Sequence, residues 1–294
     1  SIEDLGNAFD KYYKKQANYP KFKSKKNPVK SYTTKMVNKN IRIKNNKIKL
    51  PKVGWVKYAK SREIPDDAII KRVTVRKNGS GKYFISILVQ ESIKELPKTT
   101  CKVGLDVGLN DFVVDSLGNK VNNERYFRSL EQKLIKEQRK LSRKVYGSNN
   151  WLKQKKKVAK VHEKIVNKRM DFQHKLSTYY IKNHDVIGIE DLSVRNMLKN
   201  KHLSKSIQDA SWTEFMNMLE YKAKWYGKTI VKIGRNFPSS QLCSSCGEKN
   251  SEVKDLSIRE WTCKNCSKTH DRDINAAINI KNEALKIISE KKIA

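Results

Sequence analysis

Two short cysteine pairs, Cys243-Ser244-Ser245-Cys246 and Cys263-Lys264-Asn265-Cys266, constrain what this chain can fold into more than any other feature. Sixteen residues separate them. A C-x2-C loop points two thiolates at one ion, so the chain between the pairs must turn back until four sulfurs meet in one tetrahedral Zn²⁺ site. The stretch Ile258-Arg259-Glu260-Trp261-Thr262 reads as a strand leading into the second pair, as in a zinc ribbon. Four protein ligands leave no open position, which makes such a zinc structural rather than catalytic; a redox pair is the alternative. His270 lies close by, but with four thiolates available it reads as a surface residue or a substrate contact. The fifth cysteine, Cys101, stands alone beside a predicted strand. This is metal arithmetic rather than a disulfide framework, and it points to a reducing compartment.

Charge narrows the partners. The 294 residues carry 64 Lys+Arg against 30 Asp+Glu, a net charge of +34. Such self-repulsion is tolerable when a polyanion neutralises it, so nucleic acid is the first partner to consider. An anionic membrane is the rival, yet no segment offers ~18 consecutive apolar residues and no lipidation motif is visible. A merely solvated basic surface is the plainest alternative. The hydrophobic content of 37% suffices for real cores. No signal peptide precedes the first element, and a chain that opens on Ser1 without an initiator Met reads as a fragment or a processed form.

Along the chain, residues 1–50 hold 14 Lys+Arg and three acids, with Tyr12, Tyr13, Tyr19, Phe22 and Tyr32 interleaved. Segment 1–16 predicts a short helix, and Tyr19-Pro20-Lys21-Phe22-Lys23 an extended basic stretch. From Ile41 to Val89 the pattern is β, with turns at Asn45-Asn46, at 65–67 and at 78–81, which suggests a small barrel. A linker at 95–98 leads to a second unit. There Cys101–Val107, Asp111–Asp115 and Arg125–Phe127 predict a three-strand meander. Two helices follow. Leu130, Leu134, Leu141 and Val145 share a face of the first; Val158, Val161, Ile165, Phe172, Leu176 and Tyr179 share a face of the second. Between 129 and 183 there are 16 Lys+Arg and four acids, which favours nucleic-acid contact over a solvated face. Asp185–Leu192 is then a strand, Gln208–Tyr226 a helix burying Trp212, Phe215, Met216, Leu219 and Ala223, Thr229–Ile233 a strand, and Arg272–Glu290 a last helix. A strand meander followed by strands alternating with helices predicts an α/β fold with a mixed sheet.

Three carboxylates fall at telling places. Asp106 and Glu190 each sit in an otherwise apolar strand, where an unpaired charge is costly. Asp273 opens the last helix, where a capping or dipole role is the plain alternative. Brought together, the three would form a cage of oxygen ligands for Mg²⁺ or Mn²⁺, the machinery for cutting a phosphodiester. Asp191 and Asp271 lie nearby as decoys, either of which could be a supporting group behind the ligands.

Four segments then carry a resemblance. Val103-Gly104-Leu105-Asp106-Val107-Gly108, Gly188-Ile189-Glu190-Asp191-Leu192, the run from Phe237 through Gln241 to Gly247, and Asp271-Arg272-Asp273-Ile274-Asn275-Ala276-Ala277 together resemble the OrfB/TnpB family of insertion-sequence proteins, relatives of the type V CRISPR effectors. The resemblance implies an RNase H-like (RuvC) nuclease domain over 100–294, with a helical insertion at 129–183 and a zinc ribbon at 238–270. A wedge β-barrel over 1–99 would precede it and hold a guide RNA scaffold. It further implies Asp106, Glu190 and Asp273 as the catalytic triad, Cys243, Cys246, Cys263 and Cys266 as zinc ligands, and Arg272 beside the scissile phosphate. Lys21, Lys23, Lys49, Arg235, Ser239 and Ser240 are the other expected nucleic-acid contacts. The family pattern includes further N-terminal sequence that reads a motif flanking the target, so the chain is expected to begin inside that region.

The expected activity is a transposon-encoded, RNA-guided DNA endonuclease working by two-metal hydrolysis, with guide RNA from the transposon end and target DNA as partners. Pairing would read sequence while basic side chains hold phosphates. A cytoplasmic, prokaryotic location, on the nucleoid when DNA is bound, goes with it. The alternatives are a nuclease-inactive RNA-guided repressor and a transposase performing strand transfer.

Overall fold

The computed structural model describes residues 2–22 and 30–293. The chain divides into two compact units, Ser1–Glu91 and Ser92–Ala294.

The first unit opens with helix α1 (Ile2–Tyr13), followed by strands β1 (Lys30–Lys35), β2 (Arg42–Lys44), β3 (Lys47–Leu50), β4 (Gly54–Lys57), β5 (Ile69–Lys77) and β6 (Tyr83–Gln90). The strands form two three-stranded antiparallel sheets, ordered β1-β5-β6 and β2-β3-β4. Strict alternation drives one face of each inward: Ile48 and Leu50 from β3 and Val73 from β5 are buried, with Ile41, into one shared core. Strand β1 has no counterpart in the sequence reading, because Lys30-Ser31-Tyr32-Thr33-Thr34-Lys35 lacks an apolar stripe. Its pairing with β5 supplies the order instead.

The second unit is built on a five-stranded sheet. Its strands are β7 (Lys102–Val107), β8 (Asp111–Asp115), β9 (Lys120–Asn122), β10 (Val186–Glu190) and β11 (Thr229–Ile233), in the order β11-β10-β7-β8-β9. β7, β8 and β9 are an antiparallel meander, whereas β10 runs parallel to both β7 and β11. Between β9 and β10 lie α2 (Tyr126–Ser142) and the long α3 (Asn149–Asn183). Between β10 and β11 lie α4 (Val194–Met197), α5 (Ser204–Ala210) and α6 (Trp212–Tyr226). A small ribbon of β12 (Glu260–Thr262) and β13 (Thr269–Asp271) then runs directly into α7 (Arg272–Ile293).

Three boundaries differ from the sequence reading. Val145, placed on a face of the first helix, lies beyond the end of α2 and is exposed. The third meander strand is Lys120–Asn122, and Arg125–Phe127 instead starts α2, with Arg125 in the left-handed region at φ 45°. The helix expected from Gln208 to Tyr226 is two helices, because Ser211 adopts φ 54° and breaks the run between Ala210 and Trp212. The five apolar residues named for that helix are nevertheless all buried.

The sheet is a middle layer. Val103 and Leu105 on β7, with Ile187 and Ile189 on β10, point into the core made with Tyr180, Ile181, Phe215 and Leu219 of α3 and α6. The alternate residues, Gly104, Asp106, Gly188 and Glu190, therefore face the other way, toward α7. That second face is closed by Val231 and Ile233 of β11 with Ile280 and Ala284 of α7. At the start of β10, Asp185 accepts hydrogen bonds from the Thr99 amide at 2.9 Å, the Thr100 amide at 2.7 Å and the Lys228 ammonium at 2.5 Å. These contacts fix the register in which β7, β10 and β11 begin. Although burial opposes it, the Lys228 ammonium and the two amides hold the Asp185 carboxyl well below the usual carboxylate range.

Candidate functional site

Gly104 and Gly188 are register partners on adjacent parallel strands, and together they make a notch. A Cβ on Gly104 would stand 2.1 Å from the Ala277 carbonyl oxygen, and one on Gly188 would stand 2.8 Å from Ala284 Cβ. α7 thus lies with its backbone almost on the sheet. Two residues beyond each glycine, on the same face, come Asp106 and Glu190, about 7 Å further along the strand. One turn before Ala277 in the opposite direction comes Asp273, about 6 Å along the helix axis. The Gly-x-Asp and Gly-x-Glu spacings, with Asp273 four residues before Ala277, therefore bring the three carboxylates to one end of the sheet. All three are half-buried.

Their electrostatics are those of a crowded anionic site. Burial pushes the Asp106 carboxyl well above the usual range, and the facing Glu190 and Asp273 push it further, while Arg272 and the Val107 amide oppose them. Burial also raises Glu190 against a hydrogen bond from the Ser239 hydroxyl to its Oε1 at 2.6 Å. Asp273 is paired with Arg259, whose Nη1 lies 3.2 Å from each carboxylate oxygen. Asp271 caps α7 by accepting from the amides of Asp273 and Ile274, both at 3.0 Å. Lys120 in turn bonds Asp271 at 2.6 Å. Asp191, the other supporting acid named from sequence, is bound instead by Arg235 at 2.7 Å.

The four cysteine sulfurs all lie within 4.8 Å of one another, with Cys243–Cys266 and Cys246–Cys263 each at 3.6 Å. Tetrahedral Zn²⁺ with bonds of about 2.3 Å requires sulfurs roughly 3.8 Å apart, so the donor set fits. So does its proton chemistry. A hydrogen bond from the backbone at Glu248 leads the effects that lower the Cys246 thiol to about 6. Cys266 is pushed up to about 12, against a backbone hydrogen bond at Lys268, by burial and its three sulfur neighbours. A divalent cation removes that conflict. His270 corrects the sequence reading: it is 6% exposed, with Nε2 3.0 Å from Cys243 Sγ and its ring against Trp261. The β12–β13 pairing sets Trp261 opposite His270 and turns the imidazole inward.

The remaining expected contacts scatter. Lys21, Lys49 and Arg235 are exposed and Ser240 is half-buried; Lys23 lies outside the described residues. Ser239 and Arg272 are both buried, each at 7% exposure. The Ser239 hydroxyl goes to Glu190, and Arg272 donates to the Asp255 carbonyl at 2.7 Å. Three residues that the sequence reading passed over also shape the site. Arg259 meets Asp273. Asn275 and Asn279, one turn apart on α7, both donate to the Leu242 carbonyl at 2.7 Å, and Asn279 also bonds the Ser239 carbonyl at 2.8 Å. Their i, i+4 spacing was the available signal, since it puts two amides on one helix face.

Comparison with known proteins adds the following. Residues 84–201 match the OrfB_IS605 family, described as "Probable transposase", and residues 212–280 match the "Cas12f1-like, TNB domain". A protein of Streptomyces pristinaespiralis named as an RNA-guided DNA endonuclease is 41% identical over 95% of this chain and 69% of its own. The similarly named InsQ of Escherichia coli (strain K12) is 34% identical over 95% of this chain and 72% of its own. Among solved structures, a Cas12f1-sgRNA-target DNA complex aligns at 18% identity and a TM-score of 0.46, over 95% of this chain and 77% of that one. Among the described residues no helix is long and apolar enough to cross a membrane.

Proposed function

The chain belongs to the OrfB/TnpB family, and from that premise we propose that it is an RNA-guided DNA endonuclease whose reaction centre is the α7-facing end of the sheet. Relatives named as RNA-guided DNA endonucleases align with nearly its whole length, which favours nuclease over repressor or strand-transfer transposase. The observation that carries the reading is the convergence of Asp106, Glu190 and Asp273, with Asp106 facing both of the others. A three-strand meander continued by two parallel strands supports an RNase H-like sheet.

The donor set fits a divalent cation, since Asp106 is set against the negative charges of Glu190 and Asp273, which oppose its ionisation and which a bound cation would offset. Asp106, Glu190 and Asp273 would hold Mg²⁺ or Mn²⁺, which when bound supplies an activated water and neutralises the leaving oxygen of the phosphodiester. Ser239 fixes the Glu190 carboxylate, Asp271 fixes the first turn of α7, and Arg272 favours the charged form of Asp106. Arg259 balances Asp273, and it stands on the segment between the two cysteine pairs. Zinc in the cysteine cluster is structural and keeps that segment in place. The two-sheet unit reads as the wedge, with barrel closure and the grip on a transposon-derived guide RNA as its role. Lys21, Lys23, Lys49, Arg235 and Ser240 supply phosphate contacts, and basic α2 and α3 face the guide–target duplex.

The test is cleavage of a matched plasmid in Mg²⁺ by protein co-expressed with RNA from its own locus. Guide-dependent cutting that Asp106→Ala and Glu190→Ala each abolish is the expected result. Equal cutting by either variant would remove the carboxylates from the reaction.

A further inference from the structure

The outward face of the β2-β3-β4 sheet has an unusual composition. Alternation sends Ile43, Ile48, Leu50 and Val56 inward, so the other face is left to Arg42, Lys44, Lys47, Lys49, Trp55 and Lys57, all exposed. Register sets these in two rows across the strands. One row is Arg42–Lys49–Trp55 and the other is Lys44–Lys47–Lys57. Like charges directly opposite on neighbouring strands destabilise a sheet, and this face has three lysines abreast with no carboxylate on it. Beside them Trp55 presents its indole at 49% exposure. The ring and the Lys44–Lys47 turn, with Asn45 and Asn46 at its tip, border a groove of about 570 Å³.

From this juxtaposition we infer that the face binds a single-stranded polynucleotide, one unpaired base stacking on Trp55 while the five surrounding cations hold the flanking phosphates. An exposed indole offers a sequence-tolerant platform to any base, and cations at strand spacing neutralise the backbone on both sides of it. The groove is of a size that takes a small organic group, within the ~300–1,000 Å³ of ligand sites. Asn45 and Asn46 carry amide donors and acceptors that can meet a base edge. A duplex, whose bases are stacked on one another, has no free face to give the indole. The inference deepens the nucleic-acid reading above and rests on it for its partner, but not on cleavage.

The test is fluorescence anisotropy of labelled RNA and DNA single strands and of the matching duplexes, titrated with the full chain across a salt series without added divalent ion. Trp55→Ala is expected to weaken single-strand binding by roughly five-fold or more with an unchanged salt slope, and Trp55→Phe to retain most of it. Lys57→Ala should lower the slope of log K against log[salt] by about 1. The RNA and DNA arms show which strand the face prefers. Binding is read without divalent ion and without any cleavage, so a failed nuclease assignment leaves this result intact. Undiminished single-strand binding by Trp55→Ala would overturn the inference, as would an equal loss on duplex.

Discussion

Asp106 shows what the proposed reaction centre would cost the fold. Its carboxyl is buried and faces two others, so the charged form is strained in the absence of a cation. A folded-state pKa raised above the unfolded one means that its contribution to stability falls as pH rises through that window. Asp106→Asn keeps the shape and removes the charge. It is expected to raise the stability of the metal-free protein by about 0.5–2 kcal/mol while abolishing cleavage, the usual trade between stability and activity. Thermal unfolding at neutral pH checks the first half, and a melting temperature at or below the parent's would contradict it. Sequence could pick out Asp106 because a carboxylate in an apolar strand is conspicuous. Ser239 was singled out as a nucleic-acid contact, and no local spacing showed that its hydroxyl reaches Glu190 across 49 positions of sequence.

Among the elements, α7 does the most positioning. Its distance from the sheet is set by two absent side chains, so alanine at either glycine should lift it. At Gly104 the added methyl meets backbone atoms at 2.1 and 2.5 Å, whereas at Gly188 its nearest neighbour is the Ala284 methyl at 2.8 Å. Gly104→Ala is therefore expected to cost more than Gly188→Ala, with about 1–3 kcal/mol as the scale for overpacking; chemical denaturation measures both, and the reverse order would count against this packing. The cysteine element makes a separate prediction. Cys243→Ser should leave the purified protein without its equivalent of zinc, whereas His270→Gln should retain one, since His270 stands beside Cys243 as a hydrogen-bond partner. Zinc release under a thiol-reactive titrant reads both, and loss of the metal from His270→Gln would make the histidine a ligand. The four-cysteine spacing made this cluster readable in advance. The ends of helices were less so: the break at Ser211 lies within an unbroken helical pattern and comes from one residue at positive φ.

For the whole chain, a net charge of +34 is the governing quantity. Free of a polyanion, the chain repels itself through water, and that repulsion is screened over about 8–10 Å at ordinary ionic strength. Raising NaCl from low to moderate concentration is thus expected to increase the melting temperature of the nucleic-acid-free protein by a few degrees, and a short polyanion should do so at far lower concentration. Differential scanning fluorimetry decides it; a melting temperature that falls with salt would mean that ion pairs outweigh the repulsion. What the sequence determined by itself was whatever is written in local spacing: most of the strand and helix order, the four-cysteine cluster and the basic charge. Only the tertiary structure decided which side chains support the three acids, that His270 turns inward, and that five cations and an indole share one sheet face. Alternation and C-x2-C loops act over a few residues and leave a mark at fixed intervals. Arg259 meeting Asp273, or Asn279 meeting Ser239, depends on how separate segments dock, and no fixed interval records it.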